Sequence, residues 1–369
     1  MPDDEIVWGG RRAIFKNPDS KIWLERMAER GWTAPTWPSQ YGGGGLSAQE
    51  AQILSEEMSR INARSPLFSF GIHMLGPAML EFASDEQLRT HLPKIVRGDI
   101  RWCQGYSEPG AGSDLAGLQT RAEDKGDHYR VNGSKIWTSY ANLSDWIFCL
   151  VRTNVEVPKH QGISFILFDM QSPGVSTSPI KLISGASPFC QTFFDDVKVP
   201  KANLVGELNG GWQIAKRLLQ HERAMVSNIG NRFLNSPEAL EEVAKRYVGL
   251  DNEGLADPTL RDAIARQKMD EQAFALTQAR AEQESAEGMA LGATSSMFKY
   301  YGTELNKRRQ ELMLEAKGSQ ALGWEGEGFD EAELQTTRSW LRSKANSIEG
   351  GTSEVQLNII AKRVLGLPD

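Results

Sequence analysis

Trp102 to Gly117 reads W-C-Q-G-Y-S-E-P-G-A-G-S-D-L-A-G, with four glycines and a proline set among aromatic and small polar residues. That composition predicts neither a regular helix nor a central strand. Glycine lets a backbone come close to a ligand, and consecutive amides of a glycine-rich turn can cradle an anion or a polar cofactor edge. Composition alone favours a long surface turn between two domains. The flanking sequence decides between the two.

On the amino-terminal side the pattern is helical. Trp23, Leu24, Met27 and Ala28 share a face and Gly31 supplies a stop. Ser47-Ala48-Gln49-Glu50 and Ser84-Asp85-Glu86-Gln87 are capping boxes ahead of apolar stripes. Phe68 to Phe82 is nearly all apolar and predicts a buried helix. On the carboxy-terminal side the period changes. Trp146–Val151, Ile163–Phe168 and Gln191–Val199 are short β runs, and Asn132-Gly133 between Tyr129-Arg130-Val131 and Ile136-Trp137 predicts a hairpin turn. Beyond about residue 207 helical spacing returns, with helices expected over 212–229, 237–247, 258–286, 290–315 and 353–364. The fold class is therefore α+β and multi-domain: an N-terminal helical domain (1–101), a middle antiparallel β-domain (102–206) and a C-terminal helix bundle (207–369). Without βαβ alternation, a doubly wound nucleotide fold is disfavoured.

The 369 residues are too many for one small core, and the net charge of −7 gives no bulk basic character for nucleic acid or an anionic membrane. MPDDEIVWGGRRAIF lacks a signal-peptide h-region, and no apolar run reaches the length of a membrane span. Cys103, Cys149 and Cys190 are odd in number, widely spaced and set in apolar contexts. They read as reduced core residues of a cytoplasmic protein, with neither a disulfide framework nor a metal site.

Three separated motifs now carry a resemblance. Tyr106-Ser107-Glu108-Pro109-Gly110-Ala111-Gly112-Ser113-Asp114-Leu115-Ala116-Gly117 closely resembles the first signature of the acyl-CoA dehydrogenases. Asn132-Gly133-Ser134-Lys135-Ile136-Trp137-Thr138-Ser139 resembles their second flavin-contacting segment, and Glu349-Gly350-Gly351-Thr352-Ser353-Glu354-Val355-Gln356 their carboxy-terminal signature. The likeness spans nearly the whole chain in the family's order. Trp102–Ser107, Thr192–Val197 and Ala215–Leu219 resemble the bacterial branch that includes pimeloyl-CoA and steroid side-chain acyl-CoA dehydrogenases.

The resemblance implies FAD-dependent α,β-desaturation of an acyl-CoA thioester. A base takes the α-proton, and a hydride leaves the β-carbon for flavin N5. Many members carry a Glu immediately before the Gly-Thr of the last motif, but here that position is Gly350, with Glu349 one residue earlier. Others, isovaleryl-CoA dehydrogenase among them, place the base in a Glu-Arg pair on the helix after the β-domain, and this chain has Glu222-Arg223 there. The residues agree. Trp212, Ala215, Leu218, Leu219, Met225 and Val226 form an apolar stripe, and Glu222 falls within it. Desolvation raises a carboxylate's pKa toward what a general base at neutral pH requires, although a structural ion pair would also place an acid there.

By position in the motifs, Gln104, Tyr106 and Ser107 should line the flavin, with Gly112 and Ser113 near the flavin or the CoA arm. Trp137 should pack on the ring, Thr138 and Ser139 should bond to it, and Thr352 and Glu354 should approach it from a helix start. Ser113, Arg223 and Gly350 are the substrate-side candidates. The family's Arg-x-x-Phe-Gly phrase for the ADP half of a neighbouring subunit's flavin is missing, and Arg261, Arg266 and Arg280 are candidates to replace it. Implied partners are an acyl-CoA, electron-transferring flavoprotein as acceptor, and further subunits in a homodimer, a homotetramer or a heterotetramer with a paralogous chain. Two other readings stay open: a supporting subunit of a heteromeric dehydrogenase, and a flavin oxidase or monooxygenase on the same fold.

Overall fold

A computed structural model describes residues 6–234, 238–252, 254–286 and 294–368. The side chains of 223–234, 282, 285, 286 and 294 fall outside the description. The helices α1 (Pro18–Glu29), α2 (Ala48–Arg60), α3 (Gly76–Phe82) and α4 (Asp85–Val96) come first. Both capping boxes form: the Ser47 and Ser84 hydroxyls accept from the amides of Glu50 and Gln87, whose side chains accept from the Ser47 and Ser84 amides. A π-turn over Gly71–Leu75 leads into α3, so the apolar run from Phe68 is helical only from residue 71.

The middle segment is an eight-stranded sheet. Its strands are β1 (Trp102–Gly105), β2 (Arg121–Asp124), β3 (His128–Ser139), β4 (Trp146–Arg152), β5 (Ile163–Asp169), β6 (Val175–Ile180), β7 (Phe189–Pro200) and β8 (Leu204–Val205). Their order is β6-β7-β3-β2-β4-β5-β8, with β1 beside β4 and off that path. Pairing is antiparallel throughout except at β4, which runs parallel to β1 over four residue pairs and touches β2 at Arg121–Arg152. The first four residues of the glycine-rich stretch are therefore a strand, and the loop proper begins at Tyr106. Strands β4 and β5 are buried on both faces, which is why both read as unbroken apolar runs. Phe148 and Phe165 stack at 6.0 Å between their ring centres. The three cysteines are buried and unbridged in this core, where burial pushes the Cys149 thiol up to about 12.

The hairpin expected at Asn132-Gly133 does not form. Strand β3 runs straight through these residues and pairs with β7 along its length, with a register shift between Val131 and Gly133. The turn into β3 lies at Gly126 (φ +90°) instead, where the Lys125 amide donates to the His128 carbonyl. Asn-Gly carries a local turn preference, but twelve residues of pairing outweigh it and convert the site to a bulge. Glycine is required there: φ is +142° and a Cβ would lie 2.7 Å from the Thr120 Cα.

The helices α5 (Gly211–Leu234), α6 (Leu240–Tyr247), α7 (Pro258–Ala286), α8 (Thr294–Lys317), α9 (Glu331–Ser343) and α10 (Ser353–Ile359) complete the chain. Contacts divide the chain into two compact units. One comprises Met1–Ile180 with Ser187–His221, and the other Lys181–Ala186 with Glu222–Asp369. The boundary falls inside α5. In the first unit the helices dock on the sheet: Gln87 donates to the Ala202 and Leu204 carbonyls, and His91 lies edge-on to Trp102 and Trp146. In the second, Leu240, Val243, Leu260, Ile264, Leu312 and Met313 form one core, and Phe274, Ala281, Phe298 and Leu305 another.

Gly133→Ala tests the bulge. Its Cβ meets backbone that cannot yield, so the variant should lose about 1–3 kcal/mol, read as a drop in melting temperature of several degrees.

Candidate active site

The loop after β1 is fastened from beneath. Glu108, only 8% exposed, receives the Lys135 ammonium at 2.7 Å and the amides of Gln119 and Thr120 at 2.6 and 2.9 Å. Lys135 is fully buried and also donates to the Tyr106 carbonyl at 3.1 Å. Burial alone would raise the Glu108 pKa, but the Lys135 charge and these hydrogen bonds hold it below the ordinary value. Glu108 and Ala111 exchange backbone hydrogen bonds around Pro109-Gly110, and the Ile136 amide donates to the Ser107 carbonyl at 2.8 Å. At the far end of the loop the buried Arg152 guanidinium donates to the carbonyls of Ala116 and Leu118. The loop is therefore a rigid shelf carried by β3 and β4.

Beside it β3 breaks step. A register shift between Lys135 and Thr138 leaves Trp137 at φ +60°, a left-handed conformation that is rare for a bulky residue. The bulge turns Trp137 outward, 52% exposed and edge-on to Phe189 at 6.1 Å, while Thr138 turns fully inward. Among the described residues the buried Thr138 hydroxyl has no hydrogen-bond partner. Strained backbone with an exposed indole and an orphan hydroxyl is a combination that packing does not explain, and such outliers concentrate at functional sites.

The structure thus brings the end of β1, with Gln104, Tyr106 and Ser107, against the end of β3, with Trp137, Thr138 and Ser139. Tyr106 is buried edge-on to Phe148 and Phe165. Gly112 and Ser113 lie further out on the exposed crest of the loop. A Cβ on Gly110 or Gly112 would meet nothing within 4 Å, and neither residue is left-handed, so the chain's own packing does not require glycine there.

The second unit holds the remaining candidates. Thr352 caps α10 by accepting from the Val355 amide, and Glu354 is exposed in the first turn. Before them Gly350 (φ +65°) and Gly351 (φ +92°) make a tight turn, closed by the buried Gln356 amide donating to both carbonyls. A Cβ at Gly350 would sit 3.9 Å from Glu222 Oε1 and 3.9 Å from Lys299 Cε. Glu222, half-buried on α5, therefore lies beside the very position that glycine occupies in the carboxy-terminal motif. Glu349 is committed elsewhere: Arg342 grips it with two hydrogen bonds and Asn346 adds a third. The side chains of Arg223, Met225 and Val226 lie outside the described residues.

Residues 10–99, 103–197 and 209–365 match, in turn, the N-terminal, middle and C-terminal domains of acyl-CoA dehydrogenases. The chain belongs to the acyl-CoA dehydrogenase family. It is 37% identical over 358 residues to acyl-CoA dehydrogenase IpdE1 of Mycobacterium tuberculosis, covering 95% of this chain and 88% of that one. Among solved structures, the Tcur3481-Tcur3483 steroid ACAD superposes with a TM-score of 0.80 at 33% identity, over 95% of this chain and 90% of that one. The ChsE4-ChsE5 complex from Mycobacterium tuberculosis gives 0.75 at 31% identity, over 95% and 90%. Acyl-CoA dehydrogenases are oxidoreductases and FAD flavoproteins of lipid and steroid β-oxidation. The shelf fits such a group: the exposed Trp137 face, the orphan Thr138 hydroxyl and the open glycines suit a flat aromatic ligand with polar edges. Among the described residues no helix of this acyl-CoA dehydrogenase is long and apolar enough to cross a membrane.

Sequence reasoning names the motif residues but misses Glu108 and Lys135 as a pair, Arg152 and Lys299. For Lys299 a signal exists. Ser296, Lys299, Asn306 and Arg309 recur at helical spacing on the buried side of α8, a polar stripe where apolar residues are expected.

Removing one partner of a buried ion pair strands the other, so Lys135→Met should cost about 3–5 kcal/mol, and Lys135→Met with Glu108→Gln should recover part of it. The Glu108 pKa is depressed on folding, so its contribution is present above the unfolded value of 4.5 and is lost as pH falls below it. The gap in melting temperature between the native chain and Glu108→Gln should accordingly narrow below pH 4.5.

Proposed function

We propose that this acyl-CoA dehydrogenase desaturates a bulky acyl-CoA thioester between the α- and β-carbons, with Glu222 as the base. The observation that carries the reading is the placement of Glu222 Oε1 beside Gly350. A carboxylate and a vacated side-chain position meet at one point, so the acid is supplied from α5 instead of from the turn before α10. Bound FAD supplies the hydride acceptor for the β-carbon. Glu222 takes the α-proton, and the electron pair of the broken Cα–H bond becomes the new Cα=Cβ bond as the β-hydride departs. The α-proton is weakly acidic, so donors must also stabilise the thioester oxygen as it gains charge. The absence of a side chain at Gly350 leaves room beside the base for a branched or ring-bearing acyl group. The steroid ACAD among the structural relatives supports that substrate class.

In this reading Gln104, Tyr106, Ser107, Trp137, Thr138 and Ser139 hold the flavin ring, and Gly112 and Ser113 lie toward the flavin or the CoA arm. Thr352 and Glu354 approach the cofactor, Arg223 and Gly350 border the substrate, and electron-transferring flavoprotein accepts the electrons. Anaerobic bleaching of the bound flavin by acyl-CoAs tests the whole. Steroid or branched thioesters should reduce it faster than straight-chain ones. Glu222→Gln should keep flavin and ligand binding while slowing reduction by at least ~10²-fold, the low end of general-base contributions. Glu349→Gln, whose carboxylate is held by Arg342 and Asn346, should have a modest effect. Near-normal reduction by Glu222→Gln would remove it from the role.

A heteromeric working form is favoured by the missing Arg-x-x-Phe-Gly phrase together with the ChsE4-ChsE5 complex among the relatives. If so, the chain purified alone should be poor in the flavin absorbance near 450 nm, roughly where oxidised flavins absorb, and co-expression with a paralogous chain should restore it. A fully yellow, active lone chain would discard this form.

A further inference from the structure

Arg101, the residue before β1, is 9% exposed. Its guanidinium lies over the Trp8 ring, 4.4 Å from the centroid, and over the Tyr140 ring at 4.9 Å. Among the described residues no hydrogen bond or ion pair engages that guanidinium. The Arg101 amide, by contrast, donates to Asp145 Oδ2 at 2.9 Å, an oxygen that also receives the Arg11 amide at 2.9 Å. Burial lowers the Arg101 pKa, and Tyr140, Cys103 and Asp145 pull against it only through space. The Arg11 guanidinium is taken up by Asp169. Stacking on rings offsets part of a guanidinium's desolvation, but it satisfies none of the in-plane N–H donors. A nearly buried cation is thus carried among aromatic faces where acceptors are expected.

The rings come from separate stretches of chain. Trp8 lies on the segment before α1, Phe68 and Phe70 on the approach to α3, and Tyr140 just past β3. Trp8 meets Phe68 at 4.7 Å, Phe70 at 5.8 Å and Tyr140 at 4.8 Å between ring centres, and His73 lies 5.3 Å from Phe68. Trp8, Phe68, Phe70 and Tyr140 are all half-buried, so their faces stay partly open beside a cation that is almost closed in. Tyr140 holds φ +50°, left-handed like Trp137 at +60° three residues earlier. Two bulky residues in that conformation at one strand end mark a place where geometry serves more than packing. Three residues span at most about 10 Å, so Tyr140 stays close to the shelf.

We propose that the aromatic cluster of Trp8, Phe68, Phe70 and Tyr140, with the Arg101 guanidinium against it, is a binding site for a carboxylate carried on an apolar or ring-shaped body. A carboxylate meets a guanidinium edge-on and accepts two of its N–H bonds, while Trp8 and Tyr140 occupy the faces of the cation and leave its edge for the acid. The rings receive the apolar body. The chain supplies Arg101 with no counter-ion because the ligand brings one. A phosphate fits less well, since its larger charge calls for a second cation and the Arg11 guanidinium is committed to Asp169. The acid is either the far end of the acyl group of a thioester on the shelf or a separate small acid. The first source rests on the desaturation reading, and the second does not.

Octanoyl-CoA and suberyl-CoA, equal in length, differ by a terminal methyl against a terminal carboxylate. Their binding to the flavin-loaded protein is measured by calorimetric titration, alongside that of 3-phenylpropionate as a free acid. If the acid is the acyl end, suberyl-CoA should bind at least about tenfold more tightly than octanoyl-CoA, the scale of one hydrogen bond to a charged group. Arg101→Met should lose that preference, because a carboxylate then enters an apolar place without a partner. If the acid is separate, 3-phenylpropionate should bind and raise the native melting temperature, the two thioesters should bind alike, and Arg101→Met should lose the response to the free acid. Arg101→Lys keeps the charge without the planar fork and should retain only part of either effect. Arg101→Gln, also neutral, serves if Arg101→Met does not fold. Equal binding of the two thioesters together with no binding of 3-phenylpropionate overturns the proposal. So does a preference or a free-acid response that persists in a neutral variant. If no acyl-CoA bleaches the flavin, it is the desaturation reading that falls, and the titrations still decide the Arg101 site.

Discussion

The Glu108–Lys135 pair is the constraint on which the shelf after β1 depends. A lysine with no exposed surface is costly to bury unless its ammonium is paired, and here it is paired with Glu108 and the Tyr106 carbonyl. One carboxylate thereby joins the loop after β1, the entry to β2 and the middle of β3. Its two oxygens also satisfy the amides of Gln119 and Thr120, which no strand partner reaches. With these groups fixed, the next residues of β3 can be held in the left-handed, outward geometry of Trp137. The strain at the bulge is affordable because the strand is anchored immediately before it.

A second set of buried charges runs along α8. Arg309 approaches Glu271, Lys317 donates to Thr336 and the Ala332 carbonyl, and Lys299 is left facing the Gly350 turn. Replacing a buried pair as a whole by well-packed apolar residues is often neutral or stabilising, since buried ion pairs seldom recover their desolvation cost in full. Charges that persist in a core without clear energetic gain are where a chemical role is worth seeking. Lys299 differs from the others in having no hydrogen-bond partner among the described residues.

How much of this the sequence reveals depends on the range of the forces involved. The capping boxes at Ser47 and Ser84 are legible because their hydrogen bonds close within three residues. The β4 and β5 runs are legible because burial on both faces leaves no alternation. Asn132-Gly133 misleads because its turn preference is local, whereas the pairing with β7 that overrides it comes from sixty residues away (Asn132 itself bonds Asp196). Glu222 stands out as an acid on an apolar stripe, yet its proximity to Gly350 follows only from the fold. Lys135 and Lys299 are the least legible. A lysine reads as surface unless its partner is known, and Glu108 lies 27 residues before Lys135. The family motifs bring the shelf residues to notice, while the reason for the shelf's rigidity lies in a lysine they leave without a role.

The conformation of Gly350 also bears on how such enzymes can diverge. Its φ of +65° disfavours any residue with a side chain, and an acid introduced there would begin 3.9 Å from the existing carboxylate. Two carboxylates sharing one pocket drive each other toward protonation. A chain with its acid on α5 therefore cannot drift to one with its acid on the turn by a single substitution. The intermediate with both is penalised in backbone and in charge, and, with Glu222 as the proposed base, the intermediate with neither lacks one. Lineages with the acid at one position or the other are separated by a fitness valley at least two coordinated changes wide.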